Sequence, residues 1–339
     1  MPESPVKQHI SKRIGRNVFD TPPKISVVIP AYNNADVIAE TLDSVVGQKF
    51  REHEIIVVND GSPDTEAFER AIRNHLEEII YIRQRNQGAG PARNTAIEHA
   101  RGDIIAFLDG DDVWLPDFLA SQYVHMNRNG LDMVYCDAML IGMNSALRRT
   151  FMETAPSVGP ADFNAILDLR CNVITSGVMA KKEFILKAGM FETERVRAHD
   201  FHLWLRMAKA GAKIGYQQKP LLKYRVETSG LSGDSISRVE RERDAFVRVM
   251  NTIELDEEQR DIATRRIAGL EADLAVEQGK SYLLSGNYRE AALAFRVANR
   301  HRRSLKLSAI ALAARLAPSL LLKHFKTHRP ADIALIRQS

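Results

Sequence analysis

Short runs of β-branched residues alternate with amphipathic stretches over the first third of the chain. Ile25–Ile29 and Glu54–Val58 are nearly continuous apolar runs, which is typical of strands buried on both faces. Further strands are predicted at Ile79–Ile82 and Asp103–Leu108, and helices around Ile38–Val46, at Asp64–Glu78, at Pro91–Ala100 and from Pro116 onward. Because strands and helices alternate through short connections, the pattern predicts an α/β fold with a mostly parallel central sheet.

Polar clusters follow the predicted strands at their carboxyl ends. The clusters are Tyr32–Asn34, Asn59–Ser62, Arg83–Gly90 and Asp109–Asp112. In open parallel sheets, ligands bind in the crevice beyond the carboxyl ends of the strands. We therefore expect the chemistry of the protein at this edge of the sheet.

The rest of the chain changes character twice. From about Met139 to Gly230 the pattern is mixed, whereas residues 239–325 are helical throughout. Gly286–Tyr288 separates two stretches that resemble one tetratricopeptide-type helix pair, but a solitary pair lacks the neighbours that such repeats need, which favours a plain helical extension. The predicted organisation is a flexible leader at 1–23, an α/β domain at 24–230 and a small all-α extension with a basic tail at 231–339.

Composition narrows the class of protein. The 339 residues are 45% hydrophobic, enough for one large domain and a smaller appendage. Cys136 and Cys171 have no neighbouring cysteine, which favours a reducing compartment. Because the leader has no apolar segment and no run of about 18 apolar residues occurs, we expect a cytoplasmic protein without a transmembrane helix.

The positive charge of the chain is concentrated in its C-terminal part. The net charge is +4, and no acidic residue occurs between Glu290 and Asp332, a stretch with nine Lys or Arg residues among leucines. Such a segment can adsorb to an anionic surface such as the inner face of the membrane. The alternative, packing of the leucines within the protein with the cations in solvent, stays open, and both arrangements can coexist on opposite faces. No nucleic-acid-binding motif accompanies the basic residues, so no nucleic acid partner is expected.

Asp109-Gly110-Asp111-Asp112 directly follows a predicted buried strand. Alternate residues of an extended segment face the same side, so Asp109 and Asp111 can present two carboxylates together. A divalent ion, Mg²⁺ or Mn²⁺, suits such ligands and leaves coordination positions for phosphates. An EF-hand is excluded because Ala120 stands where the bidentate glutamate is required. A solvated acidic turn is the plain alternative.

Gly88-Ala89-Gly90-Pro91-Ala92-Arg93 lies between a predicted strand and helix. It begins like the dinucleotide-binding fingerprint, but Arg93 replaces the third glycine, so a nicotinamide cofactor is not expected. The segment instead predicts a helix N-terminus at which an arginine binds phosphate. A glycine-rich connection with a surface arginine is the plain alternative.

Six segments of this chain resemble family-two glycosyltransferases of the GT-A fold over about residues 24–230. They are ISVVIPAYN (25–33), IIVVNDGS (55–62), NQGAGPARN (86–94), FLDGDDVWLP (107–116), the end of Thr175–Phe191, and AHDFHLWLR (198–206). The resemblance implies a GT-A nucleotide-sugar-binding fold and a metal-dependent, inverting glycosyltransferase. A UDP-sugar is the expected donor, and a glycan or lipid-linked hydroxyl the expected acceptor, in cell-surface polysaccharide or glycoconjugate synthesis.

The resemblance also implies which residues bind the donor. Pro30 and Tyr32 would line the nucleotide-base pocket, and Asp60 would hydrogen-bond the uracil imide. Arg93 would approach the nucleotide or its diphosphate. Asn59 stands where many members have a first aspartate, while Asp60 keeps the carboxylate on which this assignment depends.

By the same resemblance, Asp109 and Asp111 match the motif that binds the metal and the ribose. Asp200 matches the general base, which takes the proton of the acceptor hydroxyl as it attacks the anomeric carbon. Gly110 replaces the usual serine, a change expected to be harmless because that side chain points away from the cation. His199 replaces the usual glutamate before the base, which is expected to alter the surroundings of Asp200.

Two rival functions remain, and one further metal site has to be weighed. A sugar nucleotidyltransferase would carry a basic glycine-rich loop after the first strand, where this chain has Pro30–Asn33. A non-catalytic helical interaction protein with a decayed transferase domain conflicts with the intact aspartates. His199 and His202 have the spacing of two metal ligands, but no third ligand suggests itself, so a structural or acceptor-contacting role is favoured.

Overall fold

The computed structural model describes residues 11–14, 22–142, 149–194, 198–226 and 235–327. The chain forms two compact units, Met1–Val226 and Glu227–Ser339. The predicted boundary after residue 230 falls within 227–234, which lies outside the described residues.

The first unit is built on a single sheet. Its strands are β1 (Ser11–Ile14), β2 (Ile25–Ala31), β3 (His53–Asp60), β4 (Ile79–Gln84), β5 (Ile104–Phe107), β6 (Val113–Trp114), β7 (Met133–Gly142), β8 (Met179–Lys181) and β9 (Ile214–Val226). Their order is β1-β4-β3-β2-β5-β8-β7-β9-β6. The α/β fold class is thereby confirmed, as a mixed sheet followed by helices.

The central strands follow the predicted pattern. β2 pairs in parallel with both β3 and β5, and β3 pairs in parallel with β4. Every residue of β2 and β3 is buried, as their continuous apolar runs predict. Outside this core, β5–β8, β7–β8 and β6–β9 are antiparallel, while β7 and β9 are parallel. The sheet is therefore less uniformly parallel than its first half.

Helices connect and cover the strands of this unit. They are α1 (Ile38–Val46), α2 (Thr65–Ala71), α3 (Ala89–His99), α4 (Phe118–Arg128), α5 (Phe163–Leu167), α6 (Lys182–Lys187) and α7 (His199–Lys209), with 3-10 turns at Arg73–His75 and Thr175–Gly177. The predicted helix over 64–78 is interrupted after Ala71, because the chain must turn to enter β4 at Ile79. Ser11–Ile14, inside the predicted flexible leader, forms β1 against β4.

The parallel register brings the polar clusters to one edge. Ile25 of β2 stands opposite both His53 and Ile104, so β2, β3 and β5 start together. Their carboxyl ends and the N-terminus of α3 therefore share the edge at which ligands bind in such sheets.

The second unit is helical. It contains α8 (Ser235–Thr252), α9 (Glu257–Leu284), α10 (Tyr288–Arg302), α11 (Leu305–Leu316) and α12 (Pro318–Thr327). Asp256 and Gln259 close a capping box at the start of α9. One cluster of its core is made of small and apolar side chains: Leu283, Ala291, Ala292, Phe295, Ala311, Ala314 and Leu321. Among the helices of the described residues, none has the length and apolarity needed to cross a membrane.

Candidate active site at the carboxyl edge of the sheet

The Asp109–Asp112 turn leaves β5 at the carboxyl edge. Thr41 of α1 donates a hydrogen bond to the Gly110 carbonyl oxygen at 3.1 Å. A Cβ atom on Gly110 would lie 2.0 Å from Asn34 Nδ2 and 3.2 Å from the Pro30 carbonyl oxygen. The buried Asn34 side chain therefore fills the space that a serine at position 110 would need. A residue with a Cβ atom at position 110 would require the Asn34 side chain to move.

The three aspartates of the turn have different surroundings. Asp112 is buried and accepts hydrogen bonds from Ser176 Oγ at 2.5 Å and Arg225 N at 2.8 Å. Burial raises its pKa well above the usual value, and the nearby charges of Asp111 and Asp109 raise it further. Asp112 thus anchors the turn, whereas Asp109 and Asp111 remain partly accessible.

Arg93 lies in α3 beside this turn. Its guanidinium Nη2 donates to Asp109 Oδ1, and the group stands 5.5 Å from the ring centroid of Phe191. The side chain is buried, and its Nε has no hydrogen-bond partner among the described residues. A cation is therefore held against the carboxylate turn, with one donor unused.

The start of α3 also fixes the segment around Phe191. Asn94 Nδ2 donates to the Phe191 carbonyl oxygen at 2.8 Å, and Phe191 N donates to Asn94 Oδ1 at 2.9 Å. A Cβ on Gly90 would lie 3.1 Å from the Glu192 carbonyl oxygen and 3.5 Å from His199 Cγ. Gly90 therefore permits the close approach of α3 to the chain that leads into α7.

Asp60 ends β3 and is almost fully buried. Its carboxylate accepts hydrogen bonds from Gln84 Nε2 at 2.8 Å and from the backbone N–H groups of Gln87 and Gly88, the latter at 2.7 Å. These bonds shape the loop that precedes α3. At the end of β2, Pro30 is buried, whereas the ring of Tyr32 is 53% exposed.

Asp200 lies in the first turn of α7. Its Oδ2 accepts a hydrogen bond from Thr175 Oγ1 at 2.8 Å, and its Oδ1 accepts one from Phe201 N at 2.8 Å. The preceding His199 packs edge-on against Phe191, with ring centroids 5.4 Å apart. The carboxylate is partly exposed, so it is held in place while it can still be reached.

His202 faces inward, with Nδ1 3.4 Å from Glu192 Oε1. No group of three or more His, Cys, Asp or Glu side chains within the described ranges is arranged to hold a metal ion. His199 thus lies beside Phe191, and His202 lies beside Glu192.

Comparison with known proteins decides the family. A family model described as glycosyl transferase family 2 matches residues 26–185, which include β2 to β8 and the carboxylate turn. Residues 26–185 form a glycosyl transferase family 2 domain.

Curated proteins of similar sequence are also described as glycosyltransferases. An uncharacterized glycosyltransferase of Rickettsia prowazekii is 27% identical over 68% of this chain and 72% of the relative. The UDP-Glc:alpha-D-GlcNAc-diphosphoundecaprenol beta-1,3-glucosyltransferase of Escherichia coli is 27% identical over 66% of this chain and 85% of its own length. A putative teichuronic acid biosynthesis glycosyltransferase of Bacillus subtilis is 29% identical over 62% and 82%, respectively.

Solved structures show the shared GT-A fold. The mannosyltransferase of Pyrobaculum calidifontis in complex with GDP-Man and Mn²⁺ superposes with a TM-score of 0.59 and 23% identity over 94% of this chain and 86% of that one. TarS of S. aureus, residues 1–349 in complex with UDP-GlcNAc, gives 0.54 and 20% identity over 90% and 92%.

The structure shows site contacts that motif-based analysis of the sequence missed. Ser176 and Arg225 hold Asp112, Thr175 holds Asp200, and Asn34 fills the space above Gly110. Thr175 and Ser176 lie within a segment that already resembled the family. Arg225 is far from the other motifs in sequence, and only the pairing of β6 with β9 brings it to the turn.

Proposed function

We propose that this family 2 glycosyltransferase moves a hexose from a UDP-sugar to a hydroxyl group of a glycan or lipid-linked acceptor in cell-surface polysaccharide or glycoconjugate synthesis. The observation that carries the proposal is the Asp109–Asp112 turn, which combines accessible carboxylates with the Arg93 guanidinium at the ligand-binding edge. The E. coli and B. subtilis relatives and the UDP-GlcNAc complex of TarS support the donor and the pathway class.

The residues that would bind the nucleotide-sugar donor lie at the same carboxyl edge of the sheet. The exposed Tyr32 ring and neighbouring Pro30 provide a surface for the nucleotide base, and Asp60 lies at the end of the adjacent strand. Arg93 places its guanidinium beside Asp109 in the N-terminal region of α3, a position suited to the diphosphate. In this proposal these four residues bind the nucleotide part of the donor.

The donor set suits a divalent ion, Mg²⁺ or Mn²⁺. Asp109 and Asp111 supply hard oxygen ligands, and the raised pKa of the adjacent Asp112 reflects concentrated negative charge in addition to burial. Such an ion, when bound, stabilises the negative charge that develops on a departing diphosphate. The Pyrobaculum complex, which contains Mn²⁺, supports this assignment.

Asp200 is the proposed general base. The acceptor oxygen forms a bond to the anomeric carbon as the bond from that carbon to the diphosphate oxygen breaks, and the hydroxyl proton passes to the Asp200 carboxylate. A single displacement of this kind inverts the anomeric configuration. The two hydrogen bonds to Asp200 hold its carboxylate in one orientation.

A donor screen tests the proposal. The protein is incubated with UDP-glucose, UDP-GlcNAc, UDP-galactose or GDP-mannose, with Mn²⁺ or with EDTA, and released nucleotide is measured. We expect Mn²⁺-dependent release of UDP from at least one UDP-sugar. Release that is unaffected by EDTA would exclude the metal assignment. Formation of pyrophosphate from UTP and a sugar 1-phosphate would instead support the nucleotidyltransferase alternative.

We also propose that α11 contacts an anionic membrane surface peripherally, at the inner face. Leu307, Ala311 and Ala314 face the core of the helical unit, whereas Leu305, Leu312 and Leu316 are exposed by 90%, 55% and 70%. The exposed leucines recur at helix-face spacing and are flanked by exposed Lys306 and Arg315.

The charges of Lys306 and Arg315 favour an anionic lipid surface, rather than a second copy of the chain, as the partner of α11. An apolar stripe bordered by cations matches an interfacial helix on anionic lipid. Two copies that met through this stripe would bring like charges together. Arg329, counted in the basic tail, lies outside the described residues. Co-sedimentation with anionic vesicles tests the contact.

A further inference from the structure

The 3-10 turn Thr175–Gly177 lies between the carboxylate turn and α7. All three of its residues are buried, and each makes a hydrogen bond to a different part of the fold. Gln122 of α4 donates to the Gly177 carbonyl oxygen at 2.8 Å, and Trp114 Nε1 donates to the Ser176 carbonyl oxygen at 2.8 Å. The backbone of the turn is thus fixed from both sides.

Ser176 fastens this turn to the proposed donor side. Its hydroxyl donates to Asp112 Oδ2 at 2.5 Å and accepts from Asp109 N at 3.1 Å. Both bonds are to the turn that carries the proposed metal ligands. The position of Ser176 is therefore tied to the position of those carboxylates.

Thr175, the adjacent residue, makes the corresponding bond on the other side. Its Oγ1 donates to Asp200 Oδ2 at 2.8 Å. The bond from Phe201 N to Oδ1 comes from the helix of Asp200 itself, whereas the Thr175 bond comes from a separate element. Two neighbouring hydroxyl groups therefore connect the carboxylate turn and Asp200 through one rigid turn.

We propose that Thr175 is a positioning residue for the reaction, which orients the Asp200 carboxylate toward the acceptor hydroxyl relative to the donor site. This inference rests on the proposed function, in which Asp200 is the base. An aspartate in the first turn of a helix can adopt several rotamers, and a second hydrogen bond from a fixed element selects one of them. A base that is misplaced by about 1 Å loses much of its effect.

The test compares two substitutions that differ in one group. Thr175→Val keeps the shape of the side chain and removes the donor, whereas Thr175→Ser keeps the donor and removes a methyl group. Thr154→Val is the matched control, because Thr154 Oγ1 donates at 2.7 Å to the Phe151 carbonyl oxygen, outside the candidate site. Both tryptophans of the chain, Trp114 and Trp204, lie in the first unit, so their fluorescence checks that each variant is folded.

The kinetic readout is UDP release from the UDP-sugar that the unmodified protein hydrolyses fastest, with water as the acceptor. We expect Thr175→Val to lower kcat about 10- to 100-fold, the effect of losing one hydrogen bond to a charged group. The KM for the donor should stay within about twofold, since donor binding is not involved. Thr175→Ser and Thr154→Val should keep kcat within about threefold of the unmodified protein.

Comparison with Asp200→Asn separates this inference from the proposed function. If Thr175 acts through Asp200, the two substitutions are not additive, and Thr175→Val has little further effect in the Asp200→Asn background. Full activity of Asp200→Asn would remove the base and the inference together. Loss of activity in Asp200→Asn with an unchanged kcat in Thr175→Val would leave the base in place and overturn the positioning role.

A measurement without turnover completes the test. In protein labelled with ¹³C-aspartate, the carboxyl resonance of Asp200 is identified by its absence in Asp200→Asn. We expect this resonance to shift in Thr175→Val and to stay in place in Thr175→Ser and Thr154→Val. An unshifted resonance in folded Thr175→Val would show that the hydrogen bond does not define the carboxylate, and would overturn the inference.

Discussion

The two units of the chain differ in the side chains that they bury. The sheet unit encloses Asp60, Asp112 and Ser176, each with hydrogen-bond partners, whereas the cluster around Phe295 in the helical unit consists of alanine, leucine and phenylalanine. A buried polar group is costly unless it is paired, so each such pair specifies one geometry. The helical unit in addition leaves several large leucines exposed to solvent, Leu305, Leu316 and Leu320 most of all. Directional bonds thus fix the position of groups for chemistry, and exposed apolar area is available for association.

The strongest test of this comparison removes the proposed base. Asp200→Asn keeps the shape of the side chain but cannot accept a proton as a carboxylate does, so UDP release should fall by about 10²- to 10⁴-fold. Donor affinity should be nearly unchanged, and the sugar product should be inverted by NMR. Asp103→Asn, an exposed aspartate just before β5, is the control and should be fully active. A near-normal rate in Asp200→Asn, or a retained anomer, would contradict the mechanism.

The next test concerns the accessible aspartates of the carboxylate turn. Asp109→Ala and Asp111→Ala should each abolish the metal dependence of UDP binding, measured by calorimetry with Mn²⁺ or EDTA. The affinity for UDP in the presence of Mn²⁺ should fall by at least roughly 10- to 100-fold, which is the loss that follows removal of an outer-shell partner of a metal ion. Asp103→Ala, which makes the same change in charge, should bind UDP as the unmodified protein does. Unchanged Mn²⁺-dependent affinity in both variants would contradict the assignment of Asp109 and Asp111.

A smaller effect is expected where the turn packs against Asn34. Gly110→Ala should lower the free energy of unfolding of the sheet unit by about 1–3 kcal/mol, because the new Cβ overlaps Asn34 Nδ2. Urea unfolding followed by tryptophan fluorescence measures this change. Adding Asn34→Ala should recover most of the loss, since the smaller side chain vacates the contested space. The packing explanation fails if the double variant is no more stable than Gly110→Ala.

The smallest effect is expected in the helical unit. The protein should pellet with anionic but not with neutral vesicles, and this binding should disappear above roughly 0.5 M salt because ions screen the charges. Leu312→Ser with Leu316→Ser should weaken the partition about tenfold, as two partly inserted leucines are lost. Leu293→Ser is the control, since Leu293 is exposed on α10 rather than α11. If the intact protein does not pellet, the stripe has no role at the membrane.

Much of the fold could be predicted from the pattern of apolar and polar residues in the first half of the chain. The runs at Ile25–Ile29 and Glu54–Val58 became the central parallel strands because continuous burial demands continuous apolar character. The later strands escaped prediction for a physical reason. β7 is buried in its first half and half-buried in its second, and β9 is mostly half-buried, so their side chains show no period that distinguishes strand from loop.

The sequence by itself determined the resemblance of its first domain to family 2, the α/β class and the positions of the aspartates, because these depend on local patterns and on motifs in a fixed order. Only the tertiary structure decided what holds those aspartates. Thr175 meets Asp200, Ser176 meets Asp112, and Arg225 meets Asp112 across more than a hundred residues of chain. The two faces of α11 likewise carry similar residues, and only the packing of neighbouring helices decides which leucines are buried. Contacts between distant segments depend on how the whole sheet and bundle close, and no local period in the sequence encodes that closure.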